Sequence, residues 1–220
     1  MTRAPIPGAV KTRLQARLTP EQCAELHKAF LLDTLDLTGK FKRAAVFLAF
    51  TPKGYRQFFE KMLLRPAVLL PQQGNDLGKR MYGAIREAFS QGYSPLVVIG
   101  SDSPSLQPDY INKAFEALKT ADVCLGPTRD GGYYLIGTHR PHKELFEDIP
   151  WGENKVFATT LERARGVGLK TSILPGWYDV DAPDDLIYLR AELTELRKLP
   201  EAFIPTRTDA FLQSQLADVL

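Results

Sequence analysis

The chain has 220 residues, of which 44% are hydrophobic, enough for one large α/β domain with a single core. Its 28 basic and 26 acidic side chains nearly balance, which excludes the strongly positive surface of a dedicated nucleic-acid-binding protein. Cys23 and Cys124 lack the spacing of a disulfide framework or a zinc site, so we expect a cytoplasmic protein. No apolar stretch approaches the ~20 residues that span a bilayer, so we expect no membrane partner.

Strand-like and helix-like patterns alternate along the chain. Predicted strands cover residues 44–50, 67–70, 95–100, 123–125, 133–136 and 171–174, and predicted helices cover 20–37, 55–64, 77–89, 109–118, 155–165 and 184–196. Thr19 and Gln22 have the spacing of a capping box before the first helix. The alternation predicts a three-layer, doubly wound, mainly parallel α/β sheet in a single domain, residues 1–198. Residues 199–220 are predicted to form a C-terminal surface appendage.

A proline-rich loop at residues 3–14 is the first candidate site. Pro7 stiffens the loop, Gly8 lets its backbone approach a ligand, and Lys11 and Arg13 could hold phosphate oxygens. The alternative, that the two basic side chains are merely solvated, is equally open. Only Met1 and Thr2 precede a loop that looks like the turn after a strand, so we expect either that the true start lies upstream or that the sheet lacks its first strand.

A second candidate segment, residues 72–80, follows the predicted strand at 67–70 and opens a helix. Its glycines and amides could read a nucleobase or a ribose. The alternative is a polar loop that caps the helix through Asn75 or Asp76. The candidate nucleotide-binding residues here are Gln72, Gly74, Asp76, Gly78 and Arg80.

Asp102 follows the apolar run that ends at Gly100. In an open α/β sheet, ligands bind beyond the carboxyl ends of the strands, so an acid at this point is placed for chemistry. The alternative is that Asp102 simply caps the helix that follows. Ser103, its neighbour, is a further candidate for substrate binding.

Two later segments carry acids close to glycines or to a helix start. Asp130, Gly131 and Gly132 form a turn that feeds an aromatic strand beginning at Tyr133, which indicates either a sugar or acceptor pocket or a plain hairpin. Further along, Asp179 and Asp181 alternate in an extended segment and therefore share a face.

The two alternating acids suit a hard divalent cation. One of them could join Asp102 around Mg²⁺, which prefers carboxylate oxygens together with water and substrate phosphates. The alternative is that Asp181 or Asp184 caps the last predicted helix.

Taken together, these motifs resemble the GT-A-like radical-SAM/selenodomain-associated transferases, which are related to nucleotide-diphospho-sugar transferases and small nucleotidyltransferases. The resemblance runs from Arg3 to about Leu196 and rests on the loop from Pro5 to Leu14, the turn from Gly74 to Arg80, Gly100-Ser101-Asp102-Ser103-Pro104, Asp130-Gly131-Gly132-Tyr133-Tyr134, Pro150-Trp151-Gly152 and the segment from Asp179 to Leu186. It implies a GT-A fold with Asp102 and Asp181 as metal-binding acids. It also implies that Lys11 and Arg13 grip nucleotide phosphates, and it adds Trp151 to the candidate substrate-binding residues.

These observations predict a Mg²⁺- or Mn²⁺-dependent transferase that acts on a nucleoside triphosphate or a nucleotide sugar. Asp102, Asp181 and Asp179 are the expected metal ligands, while Lys11 and Arg13 would offset charge on the phosphates. Nucleotidyl transfer and glycosyl transfer to a small-molecule acceptor both stay open. A nucleotide-binding protein without turnover is the alternative. A dinucleotide-dependent oxidoreductase is disfavoured, because no G-x-G-x-x-G motif follows a predicted strand.

Overall fold

A computed structural model describes residues 1–215 of the chain. The strands are β1 (Thr2–Arg3), β2 (Phe47–Thr51), β3 (Val68–Pro71), β4 (Leu96–Ile99), β5 (Val123–Pro127), β6 (Tyr133–Thr138) and β7 (Thr171–Ile173). The helices are α1 (Pro20–Thr38), α2 (Arg56–Met62), α3 (Leu77–Ser90), α4 (Pro108–Ala117), α5 (Val156–Gly166), α6 (Pro183–Leu196) and α7 (Thr206–Gln215). Within this range no helix is long and apolar enough to cross a membrane.

Each predicted strand and helix has a counterpart within a few residues of its expected bounds. The predicted α/β class with mostly parallel strands is confirmed. One difference lies at the N-terminus, where Thr2–Arg3 forms a two-residue strand although the sequence led us to expect none before the proline-rich loop. A cytoplasmic location stays a prediction.

The chain is organised in two compact units. Unit 1 comprises Met1, Ala45–Gly100 and Asp109–Tyr178. Unit 2 comprises Thr2–Ala44, Ser101–Pro108 and the chain from Asp179 to its last described residue. The expected division into one domain and an appendage stays a prediction.

Unit 1 contains a parallel pair, β2 with β3, and a four-stranded sheet in the order β4-β6-β5-β7. In the four-stranded sheet β6 runs antiparallel to β4 and β5, while β5 and β7 are parallel. The turn Asp130-Gly131-Gly132 causes this reversal, because it joins β5 directly to β6. Val123, Leu125 and Ile136 of this sheet pack into a buried cluster with side chains of α3 and α5.

Unit 2 is built around α1 and α6. The capping box predicted for α1 is present, since the Thr19 side chain accepts from the Gln22 N–H and the Gln22 side chain accepts from the Thr19 N–H. Helix α6 begins at Pro183, as suits a first helical position, and buries Leu186, Leu189 and Leu193 completely.

The C-terminal segment contributes buried side chains to unit 2. Phe203, Thr208 and Leu212 are buried, and the carboxylate of Asp33 on α1 accepts hydrogen bonds from the backbone N–H groups of Arg207 and Thr208. Asp33 thereby caps the N-terminus of α7. Residues 199–215 therefore pack on unit 2 through these side chains, and the rest of the predicted appendage, residues 216–220, lies outside the described residues.

Candidate functional site

Lys11 joins two aspartates that are far apart in the sequence. Its ammonium donates to Oδ1 of Asp181 at 2.9 Å and to the backbone carbonyl of Val180 at 2.7 Å, and it forms an ion pair with Oδ1 of Asp102. The backbone N–H of Val180 in turn donates to the carbonyl oxygen of Asp102 at 2.8 Å, which ties the two acidic segments together. We call the carboxylates of Asp102 and Asp181 the acid pair.

The Lys11 side chain is only 3% exposed, so its charge depends on its partners. Burial alone would lower the pKa of Lys11, but the neighbouring charges of Asp102 and Asp181 outweigh that effect and hold the pKa above its ordinary value. Lys11 is thus a buried, fully charged ammonium. The sequence predicted a lysine that grips phosphates; in this structure its ammonium instead contacts the acid pair.

The two carboxylates remain open to solvent, with side-chain exposures of 40% for Asp102 and 45% for Asp181. Desolvation raises the pKa of Asp102, but the charge of Lys11 and, to a smaller degree, His27 brings it below the ordinary value. The Asp181 backbone is fixed by Asp185 at the start of α6, whose Oδ2 accepts from the N–H groups of Asp181 and Ala182 at 2.9 and 2.7 Å.

Asp179 differs from the acid pair. Its Oδ1 accepts a hydrogen bond from the Ser103 hydroxyl at 2.6 Å. Burial raises the pKa of Asp179 to about 7, and the negative charges of Asp102 and Asp181 add to the rise although the Ser103 hydrogen bond opposes it. Asp102 and Asp181 are therefore close enough to Asp179 for their charges to affect its pKa.

His27 is a site residue that sequence reasoning missed. It lies on α1 and is 4% exposed, with Nδ1 at 3.8 Å from Oδ1 of Asp102 and Nε2 at 3.1 Å from the carbonyl oxygen of Arg3. Nδ1 has no hydrogen-bond partner among residues 1–215. Burial lowers the pKa of His27 although Asp102 opposes this. The available signal was a histidine four residues after Cys23 on the apolar face of a predicted helix.

The acid pair fits a hard divalent cation. No group of three or more His, Cys, Asp or Glu side chains within the described residues is arranged to hold a metal ion. Two half-exposed carboxylates nevertheless suit Mg²⁺ or Mn²⁺, because Mg²⁺ commonly takes one or two protein carboxylates and completes its shell with water and substrate phosphates.

The rest of the proline-rich loop is partly exposed, whereas Ala4, Val10 and Leu14 are buried. Pro7, Gly8 and Arg13 are exposed, and Arg13 belongs to a 3₁₀ helix, Thr12–Ala16, that begins directly after Lys11. Gly8 has a φ of 78°, in the left-handed region, and no atom lies within 4 Å of where its Cβ would stand. Unit 2 therefore places Lys11, Asp102, Ser103, Asp179 and Asp181 together and leaves Arg13 on the surface.

In unit 1, the residues predicted to read a nucleotide make local contacts. Asp76 caps α3 by accepting from the Lys79 N–H at 2.8 Å, which is the role left open as the alternative. The Gln72 side chain donates to the Ala49 carbonyl, and Arg80 Nε donates to the Gly74 carbonyl. Gly78 is buried so tightly that a Cβ would lie 2.4 Å from the Phe146 carbonyl oxygen and 2.7 Å from the indole nitrogen of Trp151.

The turn between β5 and β6 is an internally bonded hairpin. Oδ1 of Asp130 accepts from the Thr128 hydroxyl and from the Gly132 N–H, so this oxygen shapes the turn. Gly131, with a φ of 89°, lies against the Asn154 backbone, where a Cβ would come within 2.0 Å of the carbonyl oxygen. The Tyr133 and Trp151 rings pack edge to face at 6.4 Å. A hydroxyl-binding role for Asp130 stays a prediction.

Comparisons with known proteins identify relatives of this chain. Residues 34–153 match the sequence profile of a family described as "Uncharacterized protein conserved in bacteria (DUF2064)". A 2-phospho-L-lactate guanylyltransferase from Archaeoglobus fulgidus is 28% identical over 182 residues, which are 81% of this chain and 77% of that protein. A phosphoenolpyruvate guanylyltransferase from Sphaerobacter thermophilus is 25% identical over 182 residues, which are 81% of this chain and 86% of that protein.

A solved structure shows the same architecture. A protein from Desulfovibrio desulfuricans G20, assigned to the nucleotide-diphospho-sugar transferases, is 33% identical with a TM-score of 0.87, and the alignment covers 98% of this chain and 92% of that one. The fold is therefore GT-A-like, as the sequence resemblance implied. The association with radical-SAM proteins or selenodomains stays a prediction.

Proposed function

The chain belongs to the DUF2064 family, and we propose from its guanylyltransferase relatives that it is a nucleotidyltransferase that joins a nucleoside monophosphate to a small phosphorylated acceptor. The observation that carries the proposal is the buried Lys11 ammonium between two half-exposed carboxylates, a cluster suited to phosphate chemistry. The two curated relatives are guanylyltransferases whose names contain three-carbon acids bearing a phosphate. We therefore propose GTP as the donor and a phosphorylated carboxylic acid as the acceptor.

The proposed reaction needs little acid–base chemistry. A phosphate oxygen of the acceptor attacks the α-phosphorus of the nucleotide, the bond from that phosphorus to the β-phosphate oxygen breaks, and pyrophosphate leaves. The attacking phosphate oxygen is already deprotonated at neutral pH, so no general base has to remove a proton from it. Catalysis then depends on placing the two phosphates and offsetting their charge.

The proposed residue roles follow from charge and exposure. Asp102 and Asp181, with Asp179 beside them, would hold Mg²⁺ or Mn²⁺, which supplies positive charge for the phosphate oxygens. Arg13, exposed near Pro7 and Gly8, is proposed to contact the nucleotide phosphates with its planar fork of donors. Gln72, Gly74 and the other candidates of unit 1 stay proposed nucleotide or acceptor contacts.

Glycosyl transfer is a second candidate, favoured by the assignment of the relative from Desulfovibrio desulfuricans. In that reaction the acceptor attacks the anomeric carbon of a nucleotide sugar and a nucleoside diphosphate leaves. A protein that binds nucleotide without turnover is the third possibility. The three differ in the product they release: pyrophosphate, a nucleoside diphosphate, or none.

A product assay distinguishes these reactions. The protein is incubated with each nucleoside triphosphate or nucleotide sugar, a phosphorylated three-carbon acid and Mg²⁺, and the release of pyrophosphate and nucleoside diphosphate is measured. We expect pyrophosphate from GTP, and a loss of about 10²-fold or more in Asp102→Asn, because a carboxylate that would hold the charge-offsetting metal ion is removed. Asp109→Asn, a surface acid paired with Lys113, is the matched control. Release of a nucleoside diphosphate, or of no product from any donor, would contradict the proposal.

A further inference from the structure

Lys11 already neutralises the carboxylates to which a divalent cation would bind. An ammonium has three N–H groups, and those of Lys11 are directed at Asp102 Oδ1, Asp181 Oδ1 and the Val180 carbonyl. A divalent cation on the acid pair draws on the same negative charge and is repelled by the ammonium. The two cations therefore compete for Asp102 and Asp181.

The backbone of Lys11 is held in a conformation that these contacts must maintain. Its φ and ψ are 48° and 40°, in the left-handed region that is unfavourable for a residue with a Cβ. On its N-terminal side the buried Val10 separates Lys11 from the exposed residues Pro7, Gly8 and Ala9. When an ion-pair contact is lost, this unfavourable backbone conformation gives Lys11 a reason to relax.

A second buried group faces the same carboxylate. His27 Nδ1 is unpartnered among the described side chains and lies 3.8 Å from the Asp102 oxygen that Lys11 contacts. An unsatisfied nitrogen in a residue only 4% exposed is energetically unfavourable. Asp102 therefore has a second buried nitrogen beside it in addition to the Lys11 ammonium.

We propose that Lys11 is a displaceable internal counter-ion, an inference that rests on the metal-dependent function proposed above. When a divalent cation binds the acid pair, Lys11 releases at least one carboxylate, and its ammonium becomes available to the phosphates of the nucleotide. Lys11 therefore weakens metal binding in the free protein and couples it to nucleotide binding. This unites the predicted phosphate role of Lys11 with its observed position.

Chemical labelling tests the release in the unaltered protein. Lysines are acetylated briefly with and without Mg²⁺, and the modification of each is followed by mass spectrometry. Without metal, Lys11 is protected because it is buried and paired, and we expect Mg²⁺ alone to raise its labelling about fivefold or more, the lower range of coupling between two sites. Lys28, which is 40% exposed and pairs with Glu25, is the internal control. Unchanged or reduced labelling of Lys11 would overturn the proposal.

Metal affinity gives an independent readout. Calorimetric titration with Mn²⁺ alone compares the unaltered protein with Lys11→Met and Lys11→Gln, and Lys28→Met serves as the control. We expect about tenfold tighter binding in both Lys11 variants, since the competing charge is gone. Lys11→Gln keeps donors for the Val180 carbonyl and serves if Lys11→Met does not fold. Equal or weaker binding than in the unaltered protein would refute the counter-ion role.

The outcomes separate this inference from the proposed function. Absence of Mn²⁺ binding in the unaltered protein and in both Lys11 variants overturns both the counter-ion role and the metal assignment. If metal exposes Lys11 and the variants bind Mn²⁺ more tightly while no donor yields pyrophosphate, the nucleotidyltransferase proposal fails and the role of Lys11 stands.

Discussion

Replacing Lys11 by Met is the sharpest test of how the acid cluster stabilises unit 2. Hydrogen bonds to charged groups contribute roughly 1.5–3 kcal/mol each, and the ammonium makes three contacts. Asp102 and Asp181 are about two-fifths exposed, so water can replace much of the interaction that they lose with the ammonium. The Val180 carbonyl, in contrast, loses its hydrogen-bond donor, and the two carboxylates are left to repel each other. We expect a net loss of about 2–4 kcal/mol in the free energy of unfolding at pH 7.

The same reasoning fixes how this loss depends on pH. The pKa of Asp102 is lowered in the folded protein, so its contribution is present above its unfolded pKa of about 4 and is lost as pH falls through the folded value. The pKa of Lys11 is raised, so its contribution is present below about 10.4 and is lost as pH rises through the folded value. The difference between the two proteins should therefore be largest near neutrality and decline toward both extremes.

Urea unfolding of both proteins at several pH values measures this profile. Lys28→Met removes a surface lysine whose ion pair with Glu25 spans 3.7 Å, and it should change the free energy of unfolding by less than about 1 kcal/mol. A Lys11→Met defect no larger than that of the control, or one that is independent of pH, would refute the description of Lys11 as a buried charge held by two carboxylates.

Two further substitutions test the structural framework, each against a neighbour of similar chemistry. Asp33→Ala should lower the free energy of unfolding by about 2–4 kcal/mol, because it removes the buried cap of α7. Asp36 is a half-buried acid in the same ion-pair group, and Asp36→Ala should lower the free energy of unfolding by less than about 1 kcal/mol. Equal effects of the two substitutions in urea unfolding would contradict the capping role. Gly131→Ala and Gly92→Ala both place a Cβ at positive φ, which costs about 1–2 kcal/mol, but only the Cβ at position 131 collides with the Asn154 backbone. The melting temperature should therefore decrease clearly more in Gly131→Ala than in Gly92→Ala. Similar decreases would refute the close approach of Gly131 to Asn154.

The fold was predictable because its signals are local. Apolar runs such as 96–99 and the Thr19–Gln22 capping box identify their elements without tertiary information. The packing of α7 on α1 could not be predicted from local patterns. Asp33, which caps α7, lies 175 residues from Thr208 in the sequence, and a single acid on α1 does not indicate that it caps a distant helix. Local patterns thus indicate which elements form but not which side chains anchor them.

The candidate site was predictable in its residues more than in its contacts. The sequence indicates Lys11 by its proline-rich loop, Asp102 by the apolar run before it, and Asp179 and Asp181 as alternating acids before a predicted helix. Unit 2 brings these four side chains together. The sequence predicted that Lys11 contacts phosphates. Its contact with Asp181 could not be predicted, because nothing in the local sequence indicates pairing between residues that are 170 positions apart. His27 was missed for a related reason: a histidine among apolar helix positions is indistinguishable from a core residue until Asp102 is seen beside it.

Unit 2 has a consequence for how the protein acquires its activity during synthesis. Its three segments come from the start, the middle and the end of the chain, and the contact between Lys11 and Asp181 spans 170 residues. A ribosome must therefore release almost the entire polypeptide before the acid cluster can form. Because loop closure over such a distance precedes any stabilising contact, we expect the cluster to assemble late in folding, after the local strands and helices of unit 1. Incomplete chains that end before Asp179 would contain the segments of unit 1 but could not form the contacts of Lys11 with Val180 and Asp181.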